Sequence, residues 1–331
     1  MSGLTKKQMI VAAIAALASS WATAAPDLPH DYPSRPLRFL IPSAAGESAD
    51  IIGRVMAGAL SRQLGQQMTI QNRSAGRDFG VTEMGARAKA DGYTLILGNM
   101  RTHVLGPLAL ELAYDPEEDF DPVTQVAAMP YVLAVAPVTQ AASIQELLAL
   151  AKSRSTSLRY SSAGDPLGHL GMQMLKNISR ADAVRLRAVP ASPAELGQRA
   201  DVEVFFASAR FVLPYVNSGA LRAIAVSSPK RAAALPGVPT IAESGHVGFD
   251  VTDWFAFFVP RGTAAETIHR LHVGLVDAAL TSGVKQALRR NGAEPFTSIS
   301  NIEVLQRVRS DSAKYAKVLA GVNFKPDVPG K

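Results

Sequence analysis

The chain has 331 residues, 47% of them hydrophobic, with 34 basic and 28 acidic side chains and no cysteine. That length suits two domains, and a charged fraction of 19% beside so many aliphatics is the composition of an ordered globular protein. The missing cysteines exclude disulfides, thiol catalysis, iron–sulfur clusters and cysteine-ligated zinc. The net charge of +6 is dispersed. No run of five basic residues occurs and aromatics do not interleave with basic residues, which argues against nucleic-acid binding.

Met1 to Ala25 reads as a secretory signal. Lys6-Lys7 supply the positive start, Met9 to Ala18 a short apolar stretch, and Ala22-Thr23-Ala24 a small-residue cleavage site, with cleavage expected near Ala24 or Ala25. The apolar stretch is about half the roughly 20 residues of a membrane-spanning helix. The mature chain is therefore expected to be exported, to the periplasm in a Gram-negative cell.

Beyond the leader, short apolar runs alternate with helical stripes. A strand is expected at 37–42 and a small-residue loop at 43–49. A helix follows with Ile51, Ile52, Val55, Met56, Ala59, Leu60 and Leu64 on one face, Asp50 as its cap and Gly65 as its stop. Strands at 68–71 and 93–97 flank a helix at 81–90. After a proline-punctuated stretch, 107–122, a strand is expected at 131–136 and a helix opened by the capping box Ser143-x-x-Glu146. Further strands fall at 158–161, 184–188, 202–206, 221–226 and 254–259. Helices are expected at 168–178, 193–199, 211–217, 264–281, 283–291 and 301–319. This alternation predicts an α/β protein with open parallel sheets flanked by helices, whose ligands bind at the carboxyl ends of strands and at helix N-termini. The strands at 131–136 and 254–259 are candidate crossings between two lobes.

The loops 42–50, 98–104, 161–169 and 189–193 are thus where chemistry is expected. Gly46-Glu47-Ser48-Ala49-Asp50 sits between strand and helix like a nucleophile elbow, but lacks the final glycine, and no histidine is paired with an acid in the sequence. Its plainer reading is a loop whose N–H groups, Ser48 hydroxyl and helix N-terminus hold an anion. Six histidines without HxH or HExxH spacing give no metal signal. The acidic stretch from Asp115 to Asp121 lacks EF-hand spacing and reads as a solvated turn. Residues 160–170 are either a second anion cradle facing the first or a tight turn with a capping residue.

Several segments together carry a resemblance. They include Tyr32-Pro33-Ser34-Arg35-Pro36-Leu37-Arg38, Asp91-Gly92-Tyr93-Thr94-Leu95 and Ser162-Ala163-Gly164 with His169-Leu170. Leu235-Pro236-Gly237-Val238-Pro239-Thr240, Trp254 and Pro260-Arg261-Gly262-Thr263 continue the series in order. The chain resembles the extracytoplasmic receptors of tripartite tricarboxylate transporters, the Bug family, over nearly its whole mature length. The resemblance implies a two-lobed, Venus-flytrap periplasmic binding protein that closes on a small organic carboxylate, hands it to membrane permease subunits and catalyses nothing. It implies no cofactor and no metal. The expected organisation is a signal peptide at 1–25, lobe 1 at 26–129 and 251–331, and lobe 2 at 130–250, acting as a monomer.

Three departures from the family pattern stand out. The first loop carries Ser43-Ala44-Ala45-Gly46-Glu47-Ser48-Ala49-Asp50 where the family is rich in proline and glycine. Glu47 there either meets a positive group, on the ligand or on Arg101, or faces solvent. The loop after Asn72 is shortened and charged, at Arg77 and Asp78. The segment from Val189-Pro190 to Val202 is also short, and Phe205-Phe206-Ala207-Ser208 lacks the family's acid. The expected ligand-binding residues are Ser43, Glu47, Ser48, Ala49 and Asp50 in the first lobe, with Asp50 more a cap than a contact. Thr102 and His103 follow the next strand. Ser162, Ala163, Gly164 and His169 come from the second lobe, His169 either as a contact or as a structural helix-start residue, with Ala191 and Ser208 at the distal end. Two other functions remain open on sequence alone: a ligand-sensing adaptor for a membrane sensor kinase, and a serine hydrolase using Ser48.

Overall fold

A computed structural model describes residues 32–72, 78–179, 186–189 and 201–321. The leader, the expected helix at 193–199 and the candidate Ala191 lie outside the described residues. The chain from Pro33 to Lys331 forms one compact unit. Among the described residues ten strands make a single continuous sheet in two halves, with helices against it.

The first half begins with β1 (Leu37–Ile41), whose Phe39, Leu40 and Ile41 are fully buried. β2 (Met68–Asn72) and β3 (Thr94–Gly98) pair parallel to either side of it. Between β1 and β2 runs α1 (Ser48–Leu64), which buries Ile52, Met56, Ala59 and Leu60 and ends on Gly65, whose φ of 66° is the left-handed cap that glycine adopts without strain. α2 (Asp78–Ala86) precedes β3; one turn of π-helix (Arg101–Leu105) and a short α3 (Gly106–Ala109) follow it.

Two long strands then carry the chain between halves. β4 (Phe120–Val135) pairs antiparallel with β9 (Thr252–Pro260) from Phe120 to Pro130, and with β7 (Val204–Ser208) and β8 (Arg222–Val226) from Tyr131 and Val132 to Val135. Partners change at Pro130-Tyr131. The short β10 (Glu294–Pro295) also pairs with β4 in the first half. In the second half, β5 (Leu158–Ser161) lies parallel to β7 and to β6 (Leu186–Ala188). The sheet is therefore mixed, not wholly parallel as the alternation implied. Each half keeps a parallel set, and β4, antiparallel to β9 in one half and to β7 and β8 in the other, joins them.

The first part of β4 escaped the sequence reading because Pro122 and Pro130 look like strand breakers. Pro122 is accommodated beside a register shift in the ladder, where a missing donor is tolerated, and Pro130 stands where one set of partners ends.

α4 (Ile144–Ser153) opens with the expected capping box: Ser143 Oγ accepts from the Glu146 N–H at 3.2 Å, and Glu146 Oε2 accepts from the Ala142 N–H at 2.8 Å. α5 (Pro166–Ile178) follows β5, and α6 (Ala209–Asn217) follows β7. α7 (Ala265–Leu280) packs on α1 in the first half, followed by α8 (Ser282–Arg290) and α9 (Asn301–Ala320). In the acidic stretch 115–121, Asp115 Oδ1 accepts from the N–H groups of Glu117 and Glu118, and Asp121 pairs with Arg261. Among the described residues no helix is long and apolar enough to cross a membrane.

Candidate functional site

A pocket of about 350 Å³ opens where the two halves meet, at the carboxyl ends of β1, β3, β5 and β7. The first half contributes Pro42, Ser43, Glu47, Ser48 and Ala49, with Phe79, Asn99, Met100 and Arg101. The second contributes Ala163, Gly164, Asp165, Ser208 and Phe211. Tyr131 and Asp253, on the crossing strands, join them. Of the sequence candidates, Ser43, Glu47, Ser48, Ala49, Ala163, Gly164 and Ser208 line this space.

The first loop turns at Gly46, whose φ of 88° is open to glycine and costly for other residues. Glu47 occupies the N-cap position of α1 in extended conformation, yet its side chain bends back so that Oε2 accepts from the Ala44 N–H at 3.2 Å. It is exposed at the pocket mouth. The Arg101 guanidinium stands over the Phe79 ring, 5.7 Å from its centre. Among the described residues no side chain caps α1. Its first N–H groups, at Ser48 and Ala49, therefore face the pocket at the positive end of a 17-residue helix.

Asp50 is a correction. Sequence placed it before the helix as a cap, but α1 starts at Ser48, so Asp50 lies within the first turn and outside the lining. It is buried and acts as a hub. Oδ2 accepts from the Gly46 N–H, and Oδ1 accepts from Arg54 and Asn72, each at 2.8 Å. Asn72 also donates to the Ser43 carbonyl at 3.2 Å. Burial works to raise the Asp50 pKa, and the bonds from Arg54, Gly46 and Asn72 outweigh it, holding the carboxyl below its usual range. Asp50 thus fixes the loop that presents Ser48 and Ala49.

Thr102 and His103 are also corrections. The π turn after β3 carries both into the core, where each is fully buried. The Thr102 hydroxyl bonds Asn99 and His103, and the His103 ring stacks on Phe258 at 4.1 Å. Burial pushes the His103 pKa down to about 3, so the ring is neutral. Their neighbours Asn99, Met100 and Arg101 line the pocket instead.

In the second half, the turn reading and the site reading of 160–170 both have a counterpart. Ala163 takes a left-handed conformation, φ 56°, an uncommon choice for a residue with a Cβ, with its N–H on Ser161 Oγ at 3.1 Å. Asp165 caps α5, Oδ1 accepting from the Leu167 N–H at 2.9 Å, while Oδ2 accepts a short bond from the Tyr131 hydroxyl. The positive end of α5 is thereby answered by the protein's own carboxylate, so this loop is not the mirror image of the first. Ser162 stands outside the lining, its carbonyl accepting from the Asp165 N–H. His169 also stands outside it, one turn along α5, with Nδ1 against the Tyr160 hydroxyl at 3.1 Å.

Sequence reasoning missed Tyr131, Asp165 and Asp253 as pocket residues. Asp253 is half-buried and accepts from the Met100 N–H at 3.1 Å. Burial, then the charges of Asp165 and Asp311, raise its pKa to about 7 against the pull of the Met100 and Trp254 N–H groups. A lone acid before the apolar run Trp254-Phe255-Ala256-Phe257-Phe258 was the available signal. The sign of its pH effect follows. Between about pH 4 and 7 the folded chain keeps a proton that the unfolded chain has lost, so stability falls as pH rises through that window, and the full penalty stands above pH 7. Three units set a ceiling of about 4 kcal/mol, and solvent in the open pocket reduces it to about 1–2 kcal/mol. Asp253→Asn is expected to melt several degrees above wild type at pH 8 and at the same temperature near pH 4. An equal gain at both pH values would contradict this.

Arg210 of α6 donates to the Gly46 carbonyl at 3.3 Å and to Asn291 at 2.7 Å, tying the second half to the first loop. Among the described hydrogen bonds none joins Ser48 to a histidine.

Two sheet halves joined by crossing strands, with a pocket where they meet, define a two-lobed solute-binding protein. Comparison with known proteins makes the class more specific. The family described as tripartite tricarboxylate transporter family receptor (TctC) matches residues 52–324. Protein BugT of Bordetella pertussis is 31% identical over 296 residues, covering 86% of this chain and 89% of BugT. Among solved structures, R. palustris Rpa4515 with adipate is 30% identical with a TM-score of 0.75, covering 87% of this chain and 97% of its own. MatC from Rhodopseudomonas palustris with bound malate is 25% identical with a TM-score of 0.70, covering 87% and 100%. The chain belongs to the tripartite tricarboxylate transporter receptor family.

Proposed function

We propose that the protein is a periplasmic receptor that captures a small organic carboxylate between its lobes and delivers it to the permease subunits of a tripartite transporter. The observation that carries this reading is the uncapped N-terminus of α1, which opens with Ser48 and Ala49 into the pocket. An anion there gains N–H donors and the helix dipole with no metal or cofactor. The similar solved structures with adipate and with bound malate support a carboxylate as ligand. In this reading residues 1–25 are removed on export, 26–129 and 251–331 form one lobe, 130–250 the other, and the receptor works as a monomer without enzymatic activity. Lobe closure over the pocket excludes water and strengthens each hydrogen bond.

A thermal-shift series over mono-, di- and tricarboxylates tests it. Ligand at about 100 times its Kd adds roughly 2.7 kcal/mol, a rise of several degrees. Ser48→Pro is the matched variant. Proline is favoured at the first helical position and extended Glu47 suits the residue before it, so the fold is kept while one N–H donor and the hydroxyl are removed. Affinity is expected to fall about 10- to 100-fold, the worth of a charge-assisted hydrogen bond, with the ligand-free melting temperature nearly unchanged. No shift with any carboxylate, after unfolding and refolding to strip carried-over ligand, would contradict the proposal. Copurification with sensor-kinase domains in place of permease subunits would favour the adaptor reading.

A further inference from the structure

The charges lining the pocket are lopsided. Among the described residues three carboxylates line it, Glu47, Asp165 and Asp253, against one cation, Arg101. The two ends also differ in kind. One end offers the uncapped N-terminus of α1. The other offers Asp165, which already neutralises the start of α5, and Asp253, which stands within the field of Asp165.

A ligand with a carboxylate at each end would place its second one near two acids, offset only in part by the Arg101 charge that acts on Asp165, a like-charge contact that disfavours binding as the lobes close. A protonated amine at that end would instead meet opposite charge. An independent feature points the same way. Ser208 lines the pocket, and its buried hydroxyl has no hydrogen-bond partner among the described residues, although Ser208 stands at the N-cap position of α6 where it commonly would bond the helix. A buried oxygen left without a partner is costly unless a ligand supplies one, and an ammonium, with three donors, can serve Ser208 and a carboxylate together.

We infer that the pocket selects a carboxylate that also carries a protonated amine, its carboxylate at the α1 N-terminus and its ammonium against Asp253, Asp165 and the Ser208 hydroxyl. This rests on the receptor function proposed above and narrows its ligand class.

Calorimetric titration of the ligand-stripped protein with length-matched pairs tests it: succinate against 3-aminopropanoate, glutarate against 4-aminobutanoate, adipate against 5-aminopentanoate, with aspartate and glutamate alongside. The expected result is that an amino acid from this set binds at least about tenfold tighter than its matched diacid. Asp253→Asn, which keeps an acceptor for the Met100 N–H, is expected to remove that preference. Ser208→Ala is expected to weaken the amino acid several-fold more than the diacid. Diacids binding as tightly as their amino partners, or a preference that survives Asp253→Asn, would overturn the inference and leave the receptor function standing. Absence of binding by every carboxylate, in this set and in the thermal-shift series, would overturn both.

Discussion

Replacing Asp311 by alanine is expected to destabilise the protein by about 3–5 kcal/mol, the usual loss when one partner is removed from a buried charge network. Asp311 lies on α9, is 3% exposed, and receives three donors. Trp254 Nε1 donates to Oδ2 at 3.1 Å, Arg307 donates to the same oxygen at 2.6 Å, and Lys314 donates to Oδ1 at 2.9 Å. Alanine strands the buried indole N–H and leaves Arg307 with Asp250 at 3.3 Å as its acid partner. Asp311→Asn retains an acceptor for the indole and is expected to recover part of the loss. Urea unfolding of the two variants measures both, and a loss below about 1 kcal/mol for alanine would show that the network does not hold α9 to β9. The effect reaches the pocket as well, because the Asp311 charge helps to raise the pKa of Asp253, the neighbour of Trp254. In the less disruptive Asn variant that pKa is expected to fall.

Gly168→Ala is expected to cost about 3 kcal/mol, the upper part of the range for overpacking, because the obstacle is backbone. A Cβ at 168 would stand 2.6 Å from the Phe206 carbonyl oxygen, with Ser162 Cβ at 3.1 Å and the Tyr131 ring at 3.2 Å. Relief requires the start of α5 to shift off β7. That shift would pull Asp165 from the Tyr131 hydroxyl and move the second wall of the pocket, so ligand affinity is expected to fall along with the melting temperature. A variant that melts normally would mean that the α5–β7 contact yields more easily than its spacing implies. Gly58, with only the tip of Arg62 near its missing Cβ, is the control position in a helix where alanine is expected to be neutral or stabilising.

The alternation of strands and helices was legible because it rests on local patterns. The stripe of α1 and the capping box of α4 are short-range signals and appear where the sequence puts them. Boundaries slipped where small residues hide the period: Ser48 and Ala49 carry no apolar stripe, so α1 starts earlier than its hydrophobic face and turns Asp50 from cap into hub. The pocket was legible in part for the same reason. Loops after β1, β5 and β7 lie at strand ends by topology alone, and Ser48, Ala163, Gly164 and Ser208 on them line the pocket. Thr102 and His103 also follow a strand, but a π turn rotates them into the core, and nothing in residue type announces that turn. Tyr131 and Asp253 come from the crossing strands, more than 80 residues from Ser48 in sequence, and only the pairing of β4 with β9 brings them to the pocket.

Residues 160–170 read in sequence as either a second anion cradle or a capped turn, and in the structure Asp165 caps the helix there. Asp165 occupies its own helix end, so binding of the carboxylate falls to the first loop. That asymmetry makes the α1 N-terminus the central element of the account. Its most direct test is a crystal structure with the carboxylate that gives the largest thermal shift. The account predicts a ligand carboxylate in the pocket with oxygens about 2.7–3.2 Å from the Ser48 and Ala49 nitrogens. A carboxylate bound elsewhere, with the first turn of α1 facing only water, would contradict it.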